Sequence, residues 1–240
     1  MDVLYVVRGD SPDFRYSLRS VAKFASNVGK MVVAGTDLPS WLSDEVVRVE
    51  VPSPYDRKQK NIFFAILEAM RRGAVTGHCL YSSDDHYLLA PYDFDRFPWF
   101  ARPSGYGIPV HPNPYRMSVY HTGVLLKTNG LPHVHRVDGH WNTHLDARDL
   151  PFVERLTRGY GATRYGYEPS TPFVAAGIAA GRCPIVTVRK DRKTKNDDED
   201  FRALAEGNFG MLSATSLEFM PRLRAWLDIV FPEPCRWEKT

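Results

Sequence analysis

The sequence predicts an α/β fold: a mostly parallel sheet flanked by helices, with a mixed C-terminal extension. Three observations point there. The first 35 residues spell an apolar run, an amphipathic segment and a second apolar run, the unit that builds parallel sheets. The same order returns over 46–83. The apolar runs are continuous and rich in Val, as expected of strands covered on both faces.

Taken in order, "VLYVVR" (3–8) is a buried strand, and "GDSPDF" is a turn of Gly, Asp, Ser and Pro. "FRYSLRSVAKFA" (14–25) has Leu18, Val21, Ala22 and Ala25 near helical spacing and a basic stripe of Arg15, Arg19 and Lys23. "KMVVAG" (30–35) is the second strand, ended by Gly35. "LPSWL" (38–42) is a loop, and "VVRVEVP" (46–52) alternates as a third strand. A helix runs from about Lys58 to Gly73, with Arg71 and Arg72 before its glycine stop. "GHCLYSS" (77–83) is the next strand, and Asp84 and Asp85 follow it directly.

Residues 90–120 are rich in Pro, Tyr and Phe and are expected to form loops and short strands over the sheet. "VYHTGVLLK" (119–127) reads as a strand; 131–150 concentrates four of the eight histidines, and Gly139 with its flanking residues argues for a loop around "HWNTHLD". Helices are expected over 149–159 and 171–181, a strand over 183–190 and a solvated charged loop over 191–200. The stretch 211–238 reads as an amphipathic helix with a Pro-stopped tail. The organisation is one domain over 1–240, with a ligand-binding half (1–90), an acceptor-side half (91–190) and a C-terminal helical extension (191–240).

Composition narrows the function classes. The chain has 240 residues, 43% hydrophobic and 25% charged, enough for a sizeable core. The net charge of +3 permits phosphate contact but is low for a dedicated nucleic-acid binder. Three widely spaced cysteines suggest neither a zinc ribbon nor a disulfide framework, so a reducing cytoplasm is the simplest home. No apolar stretch reaches the ~20 residues of a membrane span. The P-loop, GxSxG and kinase signatures are missing.

The chemistry concentrates at Asp84 and Asp85. Ligands of open α/β sheets collect outside the carboxyl ends of the strands, which is where "LYSSDDHYLL" puts the pair. Adjacent carboxylates also occur in plain turns. The preceding strand and the "HYLL" return favour a site. Nucleotide-sugar transferases of the GT-A type place such an acidic motif after a sheet strand. There it binds Mn²⁺ or Mg²⁺, and the ion holds the donor diphosphate. Arg8, Arg15 and Arg19 are candidates for the donor phosphates, each with a solvated helix face as its bland alternative. Lys58, Lys60 and Asn61 open the second helix in the same way, with Lys60 and Asn61 taken as donor-binding candidates. In "HWNTHLD", His140 and His144 lie four apart, but Gly139 argues for a loop and no third zinc ligand is identified. His144 is expected to complete an ion shell or handle a proton, and Asp138 is an outside candidate for a base.

"DVLYVVRGD", "RYSLRS" (15–20), "PSWL" (39–42) and "LYSSDDHYLL", in that order, resemble the blocks of the Stealth family of sugar-phosphate transferases. The likeness is strong over 2–90 and weaker over "HWNTHLD" and the closing "FPEPCRWEK". It implies a GT-A-like Rossmann-type sheet, a UDP-sugar donor, a divalent cation at Asp84 and Asp85, and a participating histidine, best matched by His144. Two departures stand out: Ser83 where the family has Asn, and a shorter chain. Short relatives of this kind look like stand-alone glycosyltransferases, some similar to phage-encoded ones. That implies a sugar hydroxyl or a hydroxymethylpyrimidine base in DNA as acceptor, with "VRKDRKTK" (188–195) as a weak basic contact.

Overall fold

A computed structural model describes residues 1–96, 101–103, 109, 111–132, 134–136, 142–184, 211–213, 217 and 220–239. The chain opens with β1 (Asp2–Arg8), α1 (Pro12–Phe24), the two-residue β2 (Ala25–Ser26), β3 (Met31–Thr36) and β4 (Val46–Glu50). Then come α2 (Lys58–Arg71), β5 (His78–Ser82), β6 (His86–Leu88), β7 (Tyr92–Asp93) and β8 (Ala101–Pro103). The later elements are α3 (Pro114–Thr128), β9 (Val134–Arg136), β10 (Thr143–Asp146), α4 (Leu150–Leu156), α5 (Thr171–Ala179), β11 (Met211–Ser213) and α6 (Pro221–Val230).

The central sheet has the order β10-β5-β1-β3-β4. β1 runs parallel to β3 and β5, and β3 to β4, whereas β10 is an antiparallel edge. The chain first builds outward through β3 and β4, then returns through α2 to place β5 on the other side of β1. The strand order therefore reverses beside β1, and such a switch point opens a crevice at the strand C-termini.

Alternation along β1 and β3 divides the core. Leu4, Val32 and Ala34 pack under α2 with Phe63, Ile66, Leu67 and Met70. Val3, Tyr5, Val7 and Val33 pack under α1 with Phe14, Leu18 and Val21. In both helices the buried apolar residues recur at helical spacing, so each covers one face of the sheet. Each fully buried side chain of this size contributes about 1.5–3 kcal/mol. Gly35 is fixed by contact: its φ is +146°, and a Cβ there would meet the Val7 carbonyl oxygen at 1.8 Å.

Three expectations are overturned. Residues 119–127 are not a strand; they lie inside α3. Asn113 caps that helix by accepting from the Arg116 amide at 2.8 Å, and Pro114 occupies its first turn. Val119, Thr122 and Leu126 are buried at spacings of three and four, so the period is helical although Val and Thr favour strands. Residues 143–146, expected in a loop, form the edge strand β10. The stretch 211–238 holds β11 and α6 rather than one helix. The expected strand at 183–190 and the charged loop at 191–200 lie outside the described residues beyond 184.

Candidate active site

The C-termini of β1, β3, β4 and β5 and the N-terminus of α2 surround a cavity of about 450 Å³. β1 supplies Val6, Val7 and Arg8; the turn after it supplies Ser11, and α1 supplies Asp13. Gly35, Thr36, Val51, Pro52 and Ser53 form the wall beside β3 and β4. Asp56, Arg57, Lys58 and Asn61 come from the start of α2, and Ser83, Asp84 and Asp85 from the turn after β5.

Burial drives the Asp84 carboxyl up to about 6; the neighbouring Asp85 charge adds to this and Lys58 pulls it back. Asp85 Oδ1 is buried and accepts no hydrogen bond from the described residues. It stands 3.7 Å from His86 Nε2. Asp13 adds a third carboxylate, held by Tyr87 Oη (2.9 Å), the Leu217 amide (3.1 Å) and Ser11 Oγ (3.2 Å). Ser17 and Ser20 of α1 fix the return strand: Ser17 Oγ donates to the His86 carbonyl at 2.5 Å, and the Leu88 amide donates to Ser20 Oγ at 3.0 Å.

Opposite the Asp pair, α2 begins against the usual rule. Arg57 at its N-cap makes no side-chain cap, and the first turn carries Lys58 and Lys60 with no acidic residue. Cations at a helix N-terminus oppose the helix dipole, and local rules are broken most often at functional sites. Asn61 fixes the preceding loop: its Oδ1 accepts from the Tyr55 amide at 2.9 Å and its Nδ2 donates to the Tyr55 carbonyl at 2.8 Å. The start of α2 thus presents positive charge to the cavity.

Arg8, Asn61, Asp84 and Asp85 line this cavity together. Lys60, Arg15, Arg19 and His144 do not. Lys60 is buried, and its Nζ donates to the Gly161 carbonyl at 3.0 Å. Arg19 makes a two-pronged contact with buried Glu238, at 2.7 and 2.9 Å, and donates to the Phe231 carbonyl at 3.0 Å. Arg15 lies over the Trp41 ring at 4.4 Å and 3.7 Å from Glu238. His144 lies opposite Leu80 on β10, its Nδ1 2.7 Å from His78 Nε2, and β5 carries that pair away from its own C-terminal end. Asp138 lies outside the described residues. Arg57 and Asp13 also line the cavity, and His86 stands behind Asp85. Among them only His86, next in sequence to the Asp pair, carried a signal in the sequence.

Among the described residues, no three His, Cys, Asp or Glu side chains converge as a ready-made metal site. The donor set at Asp84 and Asp85 nevertheless suits a hard divalent ion, because a cation would relieve both the unpaired Asp85 oxygen and the crowded Asp84 charge.

No family model and no curated protein sequence matches the chain. Solved structures do. An active-site mutant of LgtC superposes with a TM-score of 0.53 at 10% identity, over 98% of both chains. The galactosyltransferase LgtC in complex with donor and acceptor sugar analogues gives 0.50 at 11%, again over 98% of both. The glycosyltransferase GlyE of Streptococcus pneumoniae gives 0.44 at 12%, over 94% of this chain and 58% of that one. The chain has the α/β fold of GT-A glycosyltransferases, a mainly parallel sheet between helices. Among the described residues, no helix is long and apolar enough to cross a membrane.

Proposed function

We propose that the protein is a nucleotide-sugar-dependent glycosyltransferase, with UDP-sugar as donor and Mg²⁺ or Mn²⁺ held by Asp84 and Asp85. One observation carries the reading. Two adjacent carboxylates face a cationic helix start across a cavity at the switch point of the sheet. Among the described residues, four carboxylates (Asp13, Asp56, Asp84, Asp85) line that cavity against three cations (Arg8, Arg57, Lys58). A diphosphate alone would enter a site already net negative, so a divalent ion and a nucleoside diphosphate complement it together. When bound, the ion supplies positive charge to the departing diphosphate.

The chain's own residues have distinct parts in this reading. Arg57, Lys58 and the free amides at the start of α2 bind phosphate oxygens, and Arg8 adds charge from the end of β1. The apolar floor of Val6, Val51, Ile62 and Ala65 receives the base and excludes water. The bond between the anomeric carbon and the diphosphate oxygen breaks, and an acceptor hydroxyl oxygen bonds to that carbon. The acceptor proton goes to solvent or a base, and nucleoside diphosphate leaves. The likeness to an LgtC structure that holds donor and acceptor sugar analogues supports a sugar hydroxyl as acceptor. A hydroxymethylpyrimidine base in DNA is the alternative acceptor.

Sugar-1-phosphate transfer, which the Stealth resemblance implies, would use the same cavity and break a P–O bond instead. Of the four blocks that carry that resemblance the acidic one lines the cavity, while 15–20 and 39–42 pack against 235–239. They speak for a shared scaffold more than for phosphate chemistry, so sugar transfer is preferred. The test is a thermal-shift screen of UDP, GDP and their sugars with and without Mn²⁺, followed by turnover with β-phosphate-labelled donor. UDP with Mn²⁺ should raise the melting temperature by linkage, and label should leave as UDP. Label in the acceptor selects phosphotransfer. Binding without turnover on any acceptor selects a non-catalytic binding module, and no shift with any nucleotide refutes the reading.

A further inference from the structure

Three separated stretches meet on the far side of the cavity wall. Residues 41–43 and 236–239 pair as a short ladder: the Ser43 amide donates to the Trp237 carbonyl at 2.9 Å, and the Lys239 amide to the Trp41 carbonyl at 2.7 Å. Ser43 Oγ adds a bond to the Arg236 carbonyl at 2.9 Å. Trp237 is buried in the core under α1. Glu238, also buried, takes the Arg19 fork and the Cys235 amide (3.0 Å) and lies beside Arg15. Arg15 in turn covers the Trp41 ring. Trp41 has one polar side-chain atom: its Nε1 donates to Asp10 Oδ1 at 2.7 Å.

Asp10 sits between cavity residues Arg8 and Ser11, in the turn from β1 to α1. That turn begins with Gly9 at a φ of +67°, in the left-handed region that glycine enters freely. The Gly9 amide donates to the Thr36 carbonyl at 3.0 Å and so holds the start of the turn, but not Asp10 beyond it. The bond from Trp41 is a charge-assisted tether.

We infer that Trp41 and Asp10 are positioning residues for donor binding: the 235–239 segment seats Trp41 through Glu238 and Arg15, and Trp41 fixes the turn that carries Ser11 and joins Arg8 at the end of β1 to Asp13 at the start of α1. This rests on the proposed nucleotide-sugar reading. It gives "RYSLRS" and "PSWL" a role outside ligand contact: they are the route by which the 235–239 segment reaches the donor wall.

The experiment is calorimetric binding of UDP with Mn²⁺ to full-length wild type, Trp41→Phe, Asp10→Ala, Asp10→Asn and the Trp41→Phe/Asp10→Ala double variant, each with its melting temperature. Phe keeps an aromatic ring under Arg15 and loses the Nε1 donor with part of the indole's area, and the melting temperature checks that the fold is kept. Trp41→Phe and Asp10→Ala should each weaken UDP about fivefold to tenfold, the range an ordinary, solvent-exposed hydrogen bond supports. The double variant should be no weaker than either single, because both remove one bond. Asp10→Asn keeps an acceptor oxygen and should recover most of the affinity. If wild type binds no nucleotide, the underlying functional reading fails. If wild type binds and Trp41→Phe binds equally well, or if Asp10→Asn is as weak as Asp10→Ala, the positioning role is overturned.

Discussion

Asp84→Asn is expected to make the metal-free protein more stable while removing its activity. The Asp84 carboxyl, ordinarily near 3.8, is raised to about 6 in the fold, first by burial and then by Asp85. An acid raised on folding favours the fold while protonated. That stabilisation is fully present below pH ~3.8 and is lost as pH rises through ~6. Above that, the wild type carries a cost of up to about 3 kcal/mol from the ~2.2-unit difference, at ~1.36 kcal/mol per unit. At pH 5 the same linkage leaves a cost of about 1.6 kcal/mol. Asn at 84 keeps the shape and never ionises, so its advantage should grow with pH. Asp84 is partly open to the cavity, and water there screens the charge, lowering the expected gain at pH 7.5 to roughly 1.5–3 kcal/mol. The assay is urea unfolding of both proteins in EDTA from pH 5 to 8, with sugar transfer measured separately. Equal stabilities across the range, or an advantage that shrinks with rising pH, would refute the argument that crowded charge is stored at this site.

Asp85→Asn should abolish the melting-temperature rise given by UDP with Mn²⁺ and leave the ligand-free melting temperature near that of wild type; a retained shift removes Asp85 from the cation site. Lys58→Ala and Lys60→Ala should part company. The first should weaken UDP about tenfold in calorimetry at nearly unchanged stability. The second, whose Nζ serves the Gly161 carbonyl, should cost about 1–3 kcal/mol in urea unfolding. Gly35→Ala should lose more than about 3 kcal/mol or fail to fold, since its Cβ would overlap the Val7 carbonyl at a φ few L-residues adopt. Arg19→Ala should cost about 3–5 kcal/mol by leaving buried Glu238 without its fork. Arg19→Met combined with Glu238→Gln should recover much of that, as a double-mutant cycle in urea would show.

The sheet was legible because its code is local. Continuous Val-rich runs and three-four spacing announced β1, α1, β3, β4, α2 and β5 within a residue or two. The 119–127 segment misled because Val119, Thr122 and Val124 weigh toward strand, while the deciding cap, Asn113, stands outside the stretch. At the site, Asp84 and Asp85 were found by position, since strand C-termini are where ligands collect. Lys58 and Lys60 could not be told apart, because two residues are about 200° of helix and only the packed α2 sets which one faces the cavity. Arg15 and Arg19 have a partner, Glu238, more than 200 residues away, and no local period carries that information.

That distance matters for synthesis. Glu238 is translated 219 residues after Arg19. At ~5–20 residues per second, α1 waits roughly 11–44 s for its counter-ion. Closing so long a loop is slow relative to forming the local β–α units. A nascent chain can therefore assemble its sheet early while the cavity wall beside 41–43 stays slack. Folding intermediates of this protein should show protected β1–β3 amides, Gly9 included through the Thr36 carbonyl, beside an exchangeable turn at Asp10–Ser11.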